Sequence, residues 1–336
     1  MAARLTSPPT LSIAVYFVLL PDSLILDWAG PAEALRTANE VLRSRGQPAV
    51  FTLHFVSPEP TAGTSVGVQV TGLTPLPELG TLSSATTNWV VLVGQPGQKI
   101  SLDTPQARDV LHWLRGLRLG TSRLELLCVC AGAILAARAG LLAGHRVTTH
   151  HLHLEELRDA EPACDVVTNR VFVLDAPVAT SAGVTTGIDL MLHRIGETCG
   201  QALAAQVAQR LVVAMRRGPH DPELSPFLCY RDHLHPALHR VQDAVSQEPQ
   251  KKWTIPAMAA VAHTSARHLA RLFSEHAGIS PLDYLRSIRL AAASTALHSG
   301  FSVSRAAAIA GFSSDAQLRR TWHDLGMPGR PSDGLP

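Results

Sequence analysis

The rhythm of apolar and polar positions changes once along this chain, near residue 217. Before that point, short apolar or β-branched runs bounded by turn residues alternate with segments of helical period. Leu11–Val18, Phe51–Ser57, Trp89–Gly94 and Leu126–Val129 read as strands, with helices at Pro31–Arg45, where Pro opens the first turn, and Thr104–Leu117. Arg170–Asp175 and Val178–Ala182 read as a hairpin or edge pair, and Val184–Cys199 and Ala202–Met215 as helices. Wholly apolar strands separated by helices require cover on both faces of a sheet. The expected fold is therefore α/β: an open, mostly parallel sheet layered by helices, flavodoxin-like.

From Arg217 to His235 the chain is dense in Pro, Gly and polar groups, which marks a linker. Beyond it the strand signal ends and every periodic stretch is helical. These shifts give an α/β domain over 10–205, a linker over 206–235 and an all-α domain over 236–330.

One pattern occurs twice in the all-α part. Val261–Phe273 recurs as Ala310–Trp322, so that Ser265 aligns with Ser314, Leu269 with Leu318, Arg271 with Arg320 and Phe273 with Trp322. Each copy reads as a supporting helix, a short turn, a Ser N-cap and a second helix, which is a helix-turn-helix. In the first, Leu269, Leu272 and Phe273 face inward and Ser265, Arg267, Ala270 and Arg271 face a duplex. In the second, Leu318 and Trp322 face inward, leaving Ser314, Asp315, Gln317, Arg319 and Arg320 toward DNA. Arg suits guanine or phosphate and Gln suits adenine. A helix from Pro281 to His298 joins the units and would hold their second helices in successive major grooves, about 34 Å apart. The first unit is intact and the second is shortened at its end, so Arg267 and Arg271 are expected to carry more base-specific affinity than Arg319 and Arg320.

Composition adds modest support. The length of 336 residues, 46% of them hydrophobic, allows two cores. Net charge is only +2, yet residues 236–336 hold 11 Lys or Arg against 7 Asp or Glu, so the basic surplus sits with the repeated motif. Five cysteines without a C-x-x-C pair fit a reducing cytoplasm and neither a disulfide framework nor a metal site. The apolar run Leu11–Leu26 is broken by Pro21-Asp22 and lacks a cleavage site, so it reads as a buried strand rather than a signal peptide.

Candidate chemistry lies at Cys130. Leu126-Leu-Cys-Val-Cys130-Ala-Gly-Ala is an apolar strand turning sharply into an Ala-rich helix, the cysteine form of a nucleophile elbow. A helix N-terminus would lower the thiol pKa, whereas a small buried hydrophobe is the ordinary alternative for such a cysteine. Asp27, after the first strand, and His150, after Arg146-Val-Thr-Thr, would converge on the same carboxyl end of the sheet. Each also has a plainer explanation, as a helix cap or as one of 16 histidines.

Asp27-x-x-Gly-Pro31, Cys130-Ala-Gly-Ala, Thr148-Thr-His150 and Ser181-Ala-Gly-Val-Thr-Thr-Gly-Ile-Asp189 together resemble the PfpI/ThiJ branch of the class I glutamine amidotransferase-like fold, over residues 10–205. That resemblance implies an elbow Cys130, an acidic Asp27 able to hydrogen-bond to it, and a nearby His150. Family proteases carry His after the elbow cysteine, and Ala131 here counts against peptidase activity. Isonitrile hydratases of the superfamily pair a cysteine with an aspartate of the Asp27 type. Family regulators usually place an aromatic after Thr-Thr-His, where this chain has His151. Residues 236–326 resemble the AraC/XylS transcription factors through Ala277-Gly-Ile-Ser-Pro281 and Ala310-Gly-Phe-Ser-Ser314. The family's closing Pro-x-x-Tyr-Arg is absent. The combined layout resembles the GlxA-type transcriptional regulators.

Two functions from different classes follow. The first is a cytoplasmic, sequence-specific DNA-binding transcription regulator whose α/β domain senses a small metabolite or mediates dimerisation. Its expected partners are double-stranded promoter DNA, a small-molecule effector, the transcription machinery and a second copy of the chain, with no membrane, cofactor or metal. The second is a Cys130-dependent hydratase or lyase acting on a small electrophile. A plainer possibility is an α/β domain that only dimerises.

Overall fold

The computed structural model describes residues 12–83, 87–97, 100–121, 123–213, 216–327 and 329–332. Leu11 of the first expected strand, Ala214 and Met215 of an expected helix, and the last four residues lie outside them. The chain divides into two compact units, Met1–Glu223 and Leu224–Pro336. Among the described residues, no helix is long and apolar enough to cross a membrane.

The first unit is built on a six-stranded sheet of β1 (Ile13–Val18), β2 (Phe51–Val56), β5 (Thr87–Leu92), β6 (Leu124–Val129), β9 (Phe172–Asp175) and β10 (Val178–Ser181), in the order β2-β1-β5-β6-β10-β9. All neighbours run parallel except β10 and β9, which pair antiparallel. Consecutive residues of β5 and β6 are buried, because helices cover both faces. One layer is α1 (Ile25–Ser44), α5 (Thr185–Cys199) and α6 (Gln201–Arg210); the other is α2 (Pro105–Arg115), α3 (Gly132–Arg138) and α4 (Leu154–Ala160). The small pairs β3 (Thr61–Gly63) with β4 (Gln69–Thr71), and β7 (Arg146–Val147) with β8 (Asp165–Val166), have too few residues to give a periodic signal.

Pro31 does not open its helix. It lies inside α1, which begins at Ile25, and it is buried. The apolar run therefore contains two elements: the strand ends at Val18 and the helix takes up Ile25 onward. This early start places Asp27 in the first turn of α1, fully buried, rather than in a loop.

The second unit contains α7 (Pro226–Cys229), α8 (Pro236–Gln247), α9 (Ile255–Val261), α10 (Ala266–Leu272), α11 (Pro281–His298), α12 (Val303–Ala310) and α13 (Asp315–Asp324). A π-helical turn, Phe273–Ala277, continues α10. Two small cores form, and α11 feeds both. Tyr284, Leu285 and Ile288 join Leu238, Val241, Met258, Leu269 and Phe273 in the first. Leu290 and Ala293 join Ala307, Ala310, Phe312, Leu318 and Trp322 in the second. Leu282, at helical spacing with Leu285, is 40% exposed, because the stripe runs through Tyr284 instead.

The α3 helix starts where β6 ends, and its approach to β5 depends on Gly132. A Cβ there would stand 2.4 Å from the Leu92 carbonyl oxygen and 2.9 Å from the Val93 nitrogen, both backbone atoms that cannot rotate away. Gly132→Ala is expected to lower unfolding free energy by about 1–3 kcal/mol through overpacking. A urea midpoint equal to that of the parent chain would show that α3 and β5 are not in such contact.

Candidate functional site

Four segments converge at the carboxyl end of the parallel sheet. The residues after β5, β6 and β10 meet the first turn of α1, so the topology brings Gly94, Cys130 and Gly183-Val184 around Asp27. The Asp27 Oδ2 accepts a hydrogen bond from the Gly94 N–H at 3.0 Å and Oδ1 accepts one from the Val184 N–H at 2.7 Å. The carboxylate also hydrogen-bonds the Cys130 thiol.

Cys130 has φ +56° and Val184 has φ +54°, both left-handed. Each such residue carries on the order of 1–3 kcal/mol of strain, and a β-branched Val is especially unsuited to this region. The surrounding hydrogen bonds hold them there. Cys130 N–H donates to the Ser181 carbonyl at 3.0 Å, and its own carbonyl accepts from Thr149 Oγ1 at 2.9 Å. Gly183 is required between them, since a Cβ there would lie 2.3 Å from the Cys130 Cβ.

The thiol is not activated in the way a helix N-terminus alone suggests. Burial pushes the Cys130 pKa up, and the Asp27 charge beside it and the more distant Glu223 charge push in the same direction. Only the Ala131 N–H opposes them. Burial likewise raises the Asp27 carboxyl pKa, against the lowering effect of its hydrogen bonds. Burial and the Asp27 charge thus favour the neutral thiol, the opposite direction from the one a helix N-terminus alone suggests and in keeping with the buried-hydrophobe alternative. Desolvation outweighs the helix terminus because α3 is short and Cys130 is 3% exposed.

His150 is in the loop that supplies Thr149, but it points its interactions elsewhere. Its Nδ1 accepts a long 3.4 Å bond from Leu152 N–H, and its ring lies 4.2 Å from that of His151 and 6.2 Å from that of His153. Burial and these neighbours hold its pKa down to about 4. Among the described residues no hydrogen bond joins His150 to Cys130 or Asp27. The His151 ring Nδ1 instead meets Glu223 Oε1 at 2.8 Å, and the His151 backbone N–H donates to the same oxygen at 3.0 Å. Glu223 was invisible to sequence reading, since it sits 72 residues away in the Pro-rich segment that looked only like linker. A pocket of ≈ 360 Å³ that includes Leu79, Leu82, Leu117 and Leu124 opens at the beginning of β6, the opposite end from Cys130, and is separate from this site.

In the second unit, both expected N-caps form: Ser265 Oγ accepts from His268 N–H and Ser314 Oγ from Gln317 N–H, each at 3.2 Å. Ser265, Arg267, Ala270 and Arg271 are all exposed, as are Ser314, Arg319 and Arg320. Arg271 pairs with Glu275 at 3.1 Å and meets His268 Nδ1 at 3.0 Å, while Arg267 makes no ion pair or hydrogen bond among the described residues.

Two residues expected to face DNA also hold surface contacts within the unit. Gln317 Oε1 accepts from Ser313 N–H at 2.7 Å and Ser313 Oγ at 3.0 Å, closing the helix start in the manner of a capping box. Asp315 Oδ2 accepts from Ser304 Oγ at 2.7 Å and ties α13 to α12. A capping glutamine has its carbonyl oxygen occupied, so bidentate pairing with adenine would require breaking the cap.

The DJ-1/PfpI family model matches residues 14–197, and a helix-turn-helix domain model matches residues 258–325. The chain is 31% identical over 312 residues to the HTH-type transcriptional regulator GlxA of Rhizobium meliloti, covering 92% of this chain and 91% of that protein. It is 28% identical over 320 residues to the HTH-type transcriptional regulator GbdR of Pseudomonas aeruginosa, covering 94% and 83%. A crystal structure of a ThiJ/PfpI family protein from Pseudomonas syringae shares the fold, with a TM-score of 0.50 at 18% identity over 78% of this chain and 96% of that one. With its elbow cysteine, its buried aspartate and a helix-turn-helix domain behind them, the chain belongs to the DJ-1/PfpI family, alongside members named as HTH-type transcriptional regulators.

Proposed function

We propose that this chain is a cytoplasmic, sequence-specific DNA-binding transcription regulator; GlxA and GbdR are named HTH-type transcriptional regulators. The observation that carries this reading is the pair of capped helix-turn-helix units, each closed around its own core and each presenting exposed arginines on its second helix. Arg267 is unengaged and Arg271 is held only by surface contacts worth at most about 1 kcal/mol, so both can turn to phosphate or guanine. The second unit offers Arg319 and Arg320 without the help of Gln317. Its partners in this reading are double-stranded promoter DNA and the transcription machinery.

The α/β unit, in the same reading, binds a small effector at the Asp27–Cys130 elbow or pairs two copies of the chain. Buried Thr148 Oγ1, beside Thr149, and Ser181 Oγ, on the strand that holds the Cys130 N–H, have no hydrogen-bond partner among the described residues and favour a polar ligand. An effector regulates only if it binds the DNA-competent and incompetent states unequally. Turnover by Cys130 is disfavoured, because a buried, protonated thiol is a weak nucleophile.

Two measurements test this. Duplexes selected from a random pool by the full chain should share a motif, and Arg267→Ala should weaken binding to it by about 1–3 kcal/mol. Arg319→Ala and Arg320→Ala should each weaken it less; the opposite ranking would place the stronger contacts in the second unit, and selection of no motif at moderate salt would refute DNA reading. Alkylation of Cys130 by iodoacetamide, followed by peptide mass, should rise with pH only above the ordinary thiol range of about 8.5. A midpoint below neutrality would restore the enzymatic reading.

A further inference from the structure

Next to the elbow lies a group of side chains that neither DNA binding nor the Asp27–Cys130 pair employs. His150, His151 and Glu223 each offer a ligand atom, and these atoms lie within 4.8 Å of one another. The loop after β7 presents both imidazoles on one side, with ring centroids 4.2 Å apart. The Glu223 side chain is 6% exposed and the His151 side chain 37%, so the carboxylate is sheltered while the site stays open to solvent. Glu223 Oε1 takes both His151 N–H groups, whereas Oε2 has no hydrogen bond among the described residues.

We propose that His150, His151 and Glu223 form a three-ligand site for a divalent transition metal of the zinc class. Two imidazole nitrogens and one carboxylate oxygen are the donor set that zinc and cobalt(II) favour. A site without thiolate is poor for copper(I), and one with two nitrogens is poor for magnesium or calcium. Tetrahedral zinc, with bonds of about 2.0–2.2 Å, needs its ligand atoms roughly 3.3 Å apart. Side-chain rotation at exposed His151 and half-buried His150 supplies that closure without moving a strand. When His151 Nδ1 takes the metal, its proton passes to Nε2, and Glu223 exchanges a hydrogen bond for a coordinate bond. The fourth position is left to water or to a donor atom of a bound molecule.

The placement gives the metal something to act on. His150 directly follows Thr149, whose hydroxyl holds the Cys130 carbonyl, and Glu223 is the last residue of the first unit before the chain enters the second. A metal here fastens the departing segment to the loop that supports the elbow.

The inference is independent of DNA recognition, since its readout is metal occupancy. Titration of the full-length, metal-free chain with cobalt(II) chloride should saturate at one equivalent, with a visible d–d band and no thiolate charge-transfer band. Glu223→Gln and His151→Gln should each abolish the saturable band, while Cys130→Ser retains it. Circular dichroism identifies any variant that fails to fold, and His150→Gln replaces it in the comparison. A thiolate band, an undiminished band in the folded variants, or the lack of a saturable band in the parent chain would overturn the site.

Discussion

One buried carboxylate holds the α/β half of this protein in register. Asp27 accepts backbone N–H groups from the ends of two different strand connections and bonds the thiol at a third. The strained backbone at Cys130 and Val184 persists because Asp27 and the Ser181 carbonyl over-determine it. Removing that carboxylate would leave buried donors unpaired at a point where α1 begins and β5, β6 and β10 end. The geometry of the elbow is thus a property of four distant segments and not of the Cys130 turn alone.

In the second unit the organising element is α11. Its residues enter two cores that otherwise share little, so neither helix-turn-helix unit is packed without it. The second helix-turn-helix closes with Trp322 and Leu318 buried. Two local contacts add to this closure: Ser304 ties Asp315 to α12, and Gln317 caps its own helix.

Most of this architecture was legible from the sequence because it rests on local signals. Apolar strands bounded by turns marked β1, β2, β5 and β6, and Ser at the starts of α10 and α13 acted as the caps that it suggests. The extent of α11 follows from its opening Pro281 and its apolar spacing. What escaped was set by tertiary contact. Pro31 reads as a helix opener, yet the buried pocket for Asp27 draws the helix start back to Ile25. A sequence shows the helix terminus beside Cys130 and hides the burial that acts on its thiol in the opposite direction. Glu223 lies in a segment whose composition speaks only of a connection, and no periodicity announces that its side chain turns back to His151. Gln317 carried a visible Ser-x-x-Gln capping signature, but its residue type fitted base recognition as well, and only the bond to Ser313 separates the two.

The burial of the elbow thiol bears on its reaction with peroxide. Oxidation to sulfenic acid begins with the thiolate, so a thiol kept protonated by burial and by an adjacent carboxylate reacts slowly. The fold thereby retains the shape of a nucleophilic site while withholding the species that oxidants attack. Among the described cysteines, exposed Cys229 is open to such modification in a way that buried Cys130 is not.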